Sequence, residues 1–169
     1  IRLRLFVNPR SELGYSQRDG YCDLEHTLQM AKRIKDAGMY FLLDFHYSDN
    51  WADPAKQIMP QAWQTFSYDE VCDAVYNHTK EVLLALEAQG TAPDMVQVGN
   101  EITGGLCGEQ EKANMHQLLR AAAQAVRDTD SGILVAVHYT NPERRNYLEY
   151  ARDLKQYGVV YDVFATSYY

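Results

Sequence analysis

Gly38-Met39-Tyr40-Phe41-Leu42-Leu43-Asp44-Phe45-His46 is the stretch whose reading decides the fold. A glycine stops the segment before it, a near-continuous apolar run follows, and a polar histidine opens a long loop. A run too short for a helix and apolar at both alternating positions reads as a strand buried on both faces. Strands of that kind belong to parallel sheets covered by helices. The flanking sequence agrees on both sides. Upstream, Asp23 can cap a helix whose apolar positions Leu24, Leu28, Ala31, Ile34 and Ala37 keep a three-to-four spacing. Before that helix, Ile1 to Val7 reads as a strand that ends at Asn8-Pro9.

The same alternation continues downstream. A loop from His46 to Phe66 leads to Ser67-Tyr68-Asp69-Glu70, the pattern of a capping box, and to a helix carrying Val71, Val75, Val82, Leu83 and Leu86. Gly90 ends it, and Asp94 to Val98 is the next strand. A helix is predicted over roughly Gln110 to Asp128, then Gly132 and a strand from Ile133 to Val137. Asn141-Pro142 is read as the start of a fourth helix, with Asn141 as cap and proline at the first position, bearing Tyr147, Leu148, Ala151 and Leu154. Gly158 stops that helix before a last strand, Val160 to Tyr169. The predicted order is β-α-β-α-β-α-β-α-β.

Two architectures fit such an order: an open doubly wound sheet, or part of a (β/α)8 barrel. The open sheet carries a glycine-rich phosphate loop after its first strand. Here that place holds Asn8-Pro9-Arg10-Ser11-Glu12. Polar and aromatic residues instead gather after the strand ends: Asn8; Asp44 and His46; Asn100 and Glu101; His138 and Asn141; Tyr168 and Tyr169. A barrel places its active site there. A complete barrel takes about 250 residues, so 169 residues are read as one incomplete (β/α)8 TIM barrel domain spanning the whole chain.

Composition narrows the function. The chain is 46% hydrophobic and 23% charged, with a net charge of −7 and no basic stripe. That excludes disorder and argues against nucleic acid as a partner, because phosphate contacts dominate such binding. No apolar run is long enough to span a bilayer, so no membrane role is expected. The sequence begins inside a strand-like run without an initiator methionine, so its first residue is taken to lie within a larger protein and the absence of a leader carries no weight. Cys22, Cys72 and Cys107 lack the spacing of a zinc site and read as isolated thiols. The sequon Asn77-His78-Thr79 falls inside a helical pattern and carries little weight.

Three constellations carry chemistry. In Val98-Gly99-Asn100-Glu101 a carboxylic acid closes a parallel strand. Partial burial in a cleft favours the protonated form of such a group, the state a general acid needs. Asn100 beside it can donate to a sugar hydroxyl. Taken alone, the pair also fits a turn cap next to a solvated carboxylate. The second constellation is the aromatic loop Asp44-Phe45-His46-Tyr47-Ser48-Asp49-Asn50-Trp51-Ala52-Asp53-Pro54, with Trp63 beyond it. His46 is expected to bind a polar ligand, Asp49 and Trp51 are possible loop contacts to it, and Trp51 or Trp63 is expected to stack on a sugar face, although both tryptophans can equally pack the loop. Asp44, Asp49 and Asp53 lack the glycine and terminal glutamate of an EF-hand, so no metal is assigned. Third, Arg2 and Arg4 share one face of the first strand. Arg4, nearer its carboxyl end, is expected to pair with an active-site carboxylate, and Arg2 to form a salt bridge at the barrel floor. His138 is a candidate substrate ligand or a hydrogen-bonded rim residue.

Together, Arg2-Leu3-Arg4-Leu5-Phe6-Val7-Asn8-Pro9, the Leu43 to Pro54 block, Pro93-Asp94-Met95-Val96-Gln97-Val98-Gly99-Asn100-Glu101 and Ser167-Tyr168-Tyr169 resemble glycoside hydrolase family 53. The resemblance runs the length of the chain. It implies an endo-β-1,4-galactanase acting on type I arabinogalactan, built on barrel strands 2 to 6, with a retaining mechanism. It further implies that Glu101 is the acid/base and that Arg4, His46, Asn100 and a strand-6 tyrosine, taken as Tyr168, occupy active-site positions. The nucleophile would be a second glutamate at the end of a seventh strand that this sequence does not contain, so these residues alone are expected to be inactive. No cofactor is implied; the calcium of some relatives belongs to other loops. A monomer acting outside the cell, at its surface or in a periplasm on pectic galactan is expected, because a polymer does not enter cells readily. One departure stands out: Gly105-Leu106-Cys107-Gly108 replaces the aromatic stretch usual after Asn-Glu. Two other readings remain, a same-clan hydrolase of mannan or glucan, and an inactive sugar-binding barrel or fragment.

Overall fold

The computed structural model describes residues 1–143 and 146–168. Its elements are β1 (Arg2–Leu5), α1 (Leu24–Asp36), β2 (Leu42–Phe45), α2 (Tyr68–Ala88), β3 (Met95–Val98), α3 (Lys112–Thr129), β4 (Leu134–Thr140), α4 (Tyr147–Gln156) and β5 (Val163–Ser167), with short 3-10 turns at Gln61–Trp63 and Ile102–Gly104. All strand pairs are parallel, and the order across the sheet is β1-β2-β3-β4-β5. A doubly wound sheet reverses direction partway across. This one never reverses, so the chain is an arc of a (β/α)8 barrel.

Register explains which side chains reach the barrel interior. Arg4, Asp44, Gln97, Ala136 and Val163 lie in one row across the sheet. The neighbouring row, Leu3, Leu43, Val96 and Val135, is wholly apolar. The apolar row packs under the helices with Ala31, Ile34, Val75, Leu86, Leu118 and Ala122. The polar row faces the other way. Burying the apolar face supplies most of the favourable free energy, at about 25 cal/mol for each Å² removed from water.

The glycines act as helix stops in three of four places. Gly38, Gly90 and Gly158 take φ of 69°, 76° and 71°. After each, the next residue's N–H returns to the helix: Met39 to Ile34 O, Thr91 to Leu86 O, and Val159 to Leu154 O. These are Schellman caps. Capping draws Met39 out of the strand reading, and β2 starts only at Leu42, with Tyr40 exposed at the rim. Gly132 does not work this way. Asp130, extended at φ −149°, ends α3 instead.

Helix starts are partly legible in the sequence. Asp23 accepts from His26 N, and Ser67 with Glu70 forms the full capping box. The fourth helix differs from expectation. It begins at Tyr147, and its cap is Asn146, whose side chain accepts from Glu149 N. Asn141 sits at φ 57°, a conformation that leaves the strand by a turn rather than opening a helix.

One clasp recurs at the rim where strands begin. Asp94 Oδ2 accepts from Phe41 N (2.7 Å) and Lys35 Nζ (2.8 Å). Asp162 Oδ2 accepts from Val135 N (2.7 Å) and pairs with Arg127. Each aspartate thus ties the strand it precedes to the previous strand and to a basic residue of a helix. The three cysteines are free thiols, as expected. No described helix is long and apolar enough to cross a membrane.

Candidate active site

A cleft of about 740 Å³ opens at the carboxyl ends of the strands. Its walls include Arg2 and Arg4 from β1, Trp51, Asp53 and Lys56 from the loop after β2, Asn100 and Glu101 after β3, His138 from β4 and Ser167 from β5. Glu101 stands where the sequence placed it, past the end of β3. Its φ of 48° is a left-handed conformation that non-glycine residues adopt mainly under local constraint. Gly99, at φ 91°, begins the same turn. Glu101 Oε1 accepts a 2.6 Å hydrogen bond from Ser167 Oγ.

Beneath Glu101 lies a buried polar network centred on Asp44, whose side chain is wholly enclosed. Its Oδ2 accepts from Arg2 Nη2 (2.7 Å) and lies 3.2 Å from His46 Nε2, while Oδ1 accepts from Gln97 Nε2 (2.5 Å). Asn100 joins the same network. Its Oδ1 accepts from Arg2 Nη2 (2.6 Å), and its Nδ2 donates to Ala52 O (2.7 Å). A carboxylate this deep is tolerable because a charge and neighbouring donors satisfy it. Gln57 Nε2 donates to Asn100 O (2.9 Å), pinning the turn from the loop side.

Several expected contacts need correction. Arg2, not Arg4, holds the buried carboxylate. Side chains in strands lean along the strand, and a long guanidinium starting near the floor reaches Asp44 from below. Arg4 instead lies over the Trp51 ring, 4.1 Å from its centroid, inside the cleft. His46 is fully buried and is not on the cleft wall. The loop folds back so that Ala52 N donates to His46 Nδ1 (2.9 Å), leaving Nε2–H to donate to Asp44. In this arrangement it braces the loop. Asp49 is buried too, accepting from Asn8 N (2.9 Å), Ser11 Oγ (2.7 Å) and Gln61 N (3.0 Å), so it ties loops together. Tyr168 is 81% exposed and lies off the cleft; Tyr169 falls outside the described residues. Trp63 packs into the core, and Trp51, 40% exposed, lines the cleft as expected of one of the two.

The glycosyl hydrolase family 53 model matches residues 1–169. An endo-β-1,4-galactanase of Bacillus subtilis is 44% identical over 170 residues, covering 100% of this chain and 40% of its own. The chain belongs to glycosyl hydrolase family 53. Two further members bracket the likeness. The arabinogalactan endo-β-1,4-galactanase of Cellvibrio japonicus is 39% identical, over 88% of this chain and 43% of its own. The solved GH53 catalytic domain of Ignisphaera aggregans superposes with a TM-score of 0.90 at 38% identity, over 100% of this chain and 48% of that one. The family-53 chain thus spans less than half the length of these relatives.

In this family-53 arc, sequence reasoning missed two polar groups at the cleft. The salt bridge expected of Arg2 forms, but its guanidinium reaches up to the cleft wall. Ser167 stands beside two tyrosines and carries no motif of its own, though strand alternation offers a signal. Phe164 packs outward against Tyr139 (5.2 Å), so residues of opposite parity, Ala165 and Ser167, face inward. His138 lies between Asn100 and Ser167, at 3.1 Å from Asn100 Oδ1 and 3.0 Å from Ser167 Oγ. Burial, and then the guanidinium of Arg2, holds its imidazole below the usual range, so it is neutral near pH 7. Among the described residues no group of three acidic, histidine or cysteine side chains gathers as a metal site.

Proposed function

We propose that this chain is part of a retaining endo-glycosidase that hydrolyses internal β-1,4-galactosidic bonds of pectic galactan, the type I arabinogalactan backbone. The observation that carries the reading is Glu101, at a strand's carboxyl end on the wall of an open cleft with its side chain oriented by Ser167. The galactanase names of family relatives support the sugar. In the first step Glu101 protonates the leaving glycosidic oxygen while a second carboxylate attacks the anomeric carbon from the opposite face. In the second step Glu101, now ionised, takes a proton from the water that releases the sugar. Asn100 and Arg2 fix the turn beneath it, and Trp51 with Arg4 offers a face for a further sugar.

The two carboxylates of a retaining enzyme stand about 5–5.5 Å apart. Asp44 is enclosed and bound by Arg2 and Gln97, so it is unsuited to attack. Asp53 belongs to the loop after β2, where its Oδ1 accepts from Ala55 N. The nucleophile is therefore assigned to a segment outside these residues, and the 169 residues by themselves are expected not to turn over. The chemistry needs no cofactor. A polymeric substrate places the enzyme outside the cell.

The test uses the full-length protein carrying this region. Glu101→Gln should abolish cleavage of galactan yet still release a burst of leaving group from an activated aryl galactoside, because a good leaving group needs no protonation whereas deglycosylation needs the base. Wild-type rates on galactan would remove Glu101 from the mechanism. Faster hydrolysis of mannan or glucan than of galactan would reassign the substrate.

A further inference from the structure

One imidazole grips Glu101 at both ends. The Glu101 backbone N–H points at His138 Nδ1 (3.3 Å), and the Glu101 carboxylate accepts from Ser167 Oγ (2.6 Å), which in turn lies 3.0 Å from His138 Nε2. The residues come from three adjacent strand ends: β3 supplies the acid, β4 the ring and β5 the hydroxyl. Pairing sets Ser167 opposite Thr140 and Ala165 opposite His138, so the hydroxyl stands one inward position above the ring and can bridge it to the carboxylate.

The hydrogens along this bridge have a direction. A backbone N–H can only donate, so His138 Nδ1 must offer Glu101 its lone pair. The far end of the bridge agrees, although Asn100 Oδ1 lies 3.1 Å from the same nitrogen: Ser167 Oγ gives its one hydrogen to Glu101 Oε1, so toward His138 Nε2 it can only accept. The single hydrogen of the neutral ring therefore sits on Nε2 and goes to Ser167 Oγ. The hydrogen of Ser167 then has Glu101 Oε1 as its acceptor. With Oε1 accepting, the proton that Glu101 gives and takes is carried by Oε2.

We propose that His138 and Ser167 are positioning residues that fix the rotamer of Glu101 and confine its exchangeable proton to Oε2. The proposal rests on the reading of Glu101 as the acid/base. Neither residue needs to touch the reacting atoms. The groups facing His138 are Arg2 from β1, Asp44 and His46 from β2 and its loop, and Glu101 after β3. Protonating the ring would put a hydrogen on Nδ1, against the Glu101 N–H, and would break the relay at its first link.

The experiment compares Ser167→Ala with wild type in the full-length protein, on β-1,4-galactan and on an aryl galactoside with a good leaving group. Galactan needs an acid for its leaving oxygen; the aryl substrate does not. The loss of kcat on galactan should exceed the loss on the aryl substrate by about tenfold, the size of one hydrogen bond to a charged group. Ser167→Thr, which keeps the hydroxyl, should restore most of that loss. If the alanine variant fails to fold, Ser167→Cys keeps the volume with a weak donor, and the same split is read from it. Equal losses on both substrates, no rescue by threonine, or no loss would overturn the relay. The underlying reading fails separately: if Glu101→Gln keeps wild-type galactan cleavage, Glu101 is not the acid and the relay falls with it. If Glu101→Gln is dead on galactan while Ser167→Ala is normal, only the relay is wrong.

Discussion

Replacing Gly104 by alanine should damage both the stability and the activity of the full-length protein. Gly104 ends the 3-10 turn that follows Glu101 and lies against the backbone of Pro54 in the loop after β2. A Cβ built on Gly104 overlaps the Pro54 carbonyl oxygen and comes within 2.9 Å of its carbonyl carbon and 3.3 Å of its Cα. Unbonded carbons settle at about 3.5–4.0 Å, so the loop and the turn must part by roughly 1 Å. Both partners are backbone, with no side-chain end that can swing aside. Overpacking of this kind costs about 1–3 kcal/mol, and the upper end applies here. The displaced turn carries Glu101, and a misplacement of about 1 Å can cost roughly 100-fold in rate. Denaturant unfolding measures the first effect and galactan turnover the second. A variant with wild-type midpoint and wild-type turnover would show that loop and turn are not held together as described, and the positioning argument for Glu101 would lose its base.

Other perturbations separate bracing from chemistry. His46→Ala should lower stability and activity together, by about 2–4 kcal/mol in unfolding, because Ala52 N and Asp44 both lose a buried partner; lost turnover with an unchanged unfolding midpoint would return His46 to the substrate. Asp162 is held below the ordinary carboxylate value of 3.8, first by the Val135 N–H and then by Arg127. Burial pushes Asp94 up, but Lys35 and the Phe41 N–H outweigh it, and it too ends low. A depressed carboxylate stabilises the fold above its unfolded value and loses that contribution as pH falls through its folded value. Unfolding followed below about pH 4 should therefore show a smaller pH slope for Asp162→Asn than for wild type, and equal slopes would refute the clasp. Burial pushes the Cys107 thiol up, so thiol reagents should modify Cys107 only on unfolding; fast labelling in the native protein would contradict its enclosure.

Much of the fold was legible because short apolar runs and glycine stops are local signals. Gly38, Gly90 and Gly158 mark helix ends through their own backbone geometry, and Ser67 with Glu70 marks a start. Asn141-Pro142 misled because a cap-like pair can equally close a strand, and Asn146 was the cap. At the site, Glu101 and Asn100 reach the cleft where the sequence puts them, because their places depend only on where β3 ends. Arg2, His46, Asp49 and Tyr168 lie elsewhere than spacing suggests, because their surroundings depend on reach and on how a loop returns. Sequence spacing does not reveal that Ala52 comes back to cover His46, nor that the guanidinium of Arg2 extends up to Asp44. Ser167 was visible only through parity, which needed one outward residue, Phe164, as a reference.

The strand order has a consequence for how the molecule is made. Each strand pairs with the one synthesised just before it, so the sheet extends at a single edge in the direction of translation. A newly emerged strand finds its template already formed, and the intervening helix covers the outer face as it arrives. Loop closure stays short at every step, which favours rapid docking. The exposed growing edge is the hazard during synthesis, since an unpaired parallel strand invites pairing with another nascent chain. Until β5 arrives, His138 lacks the hydroxyl of Ser167 and the cleft lacks one of its walls.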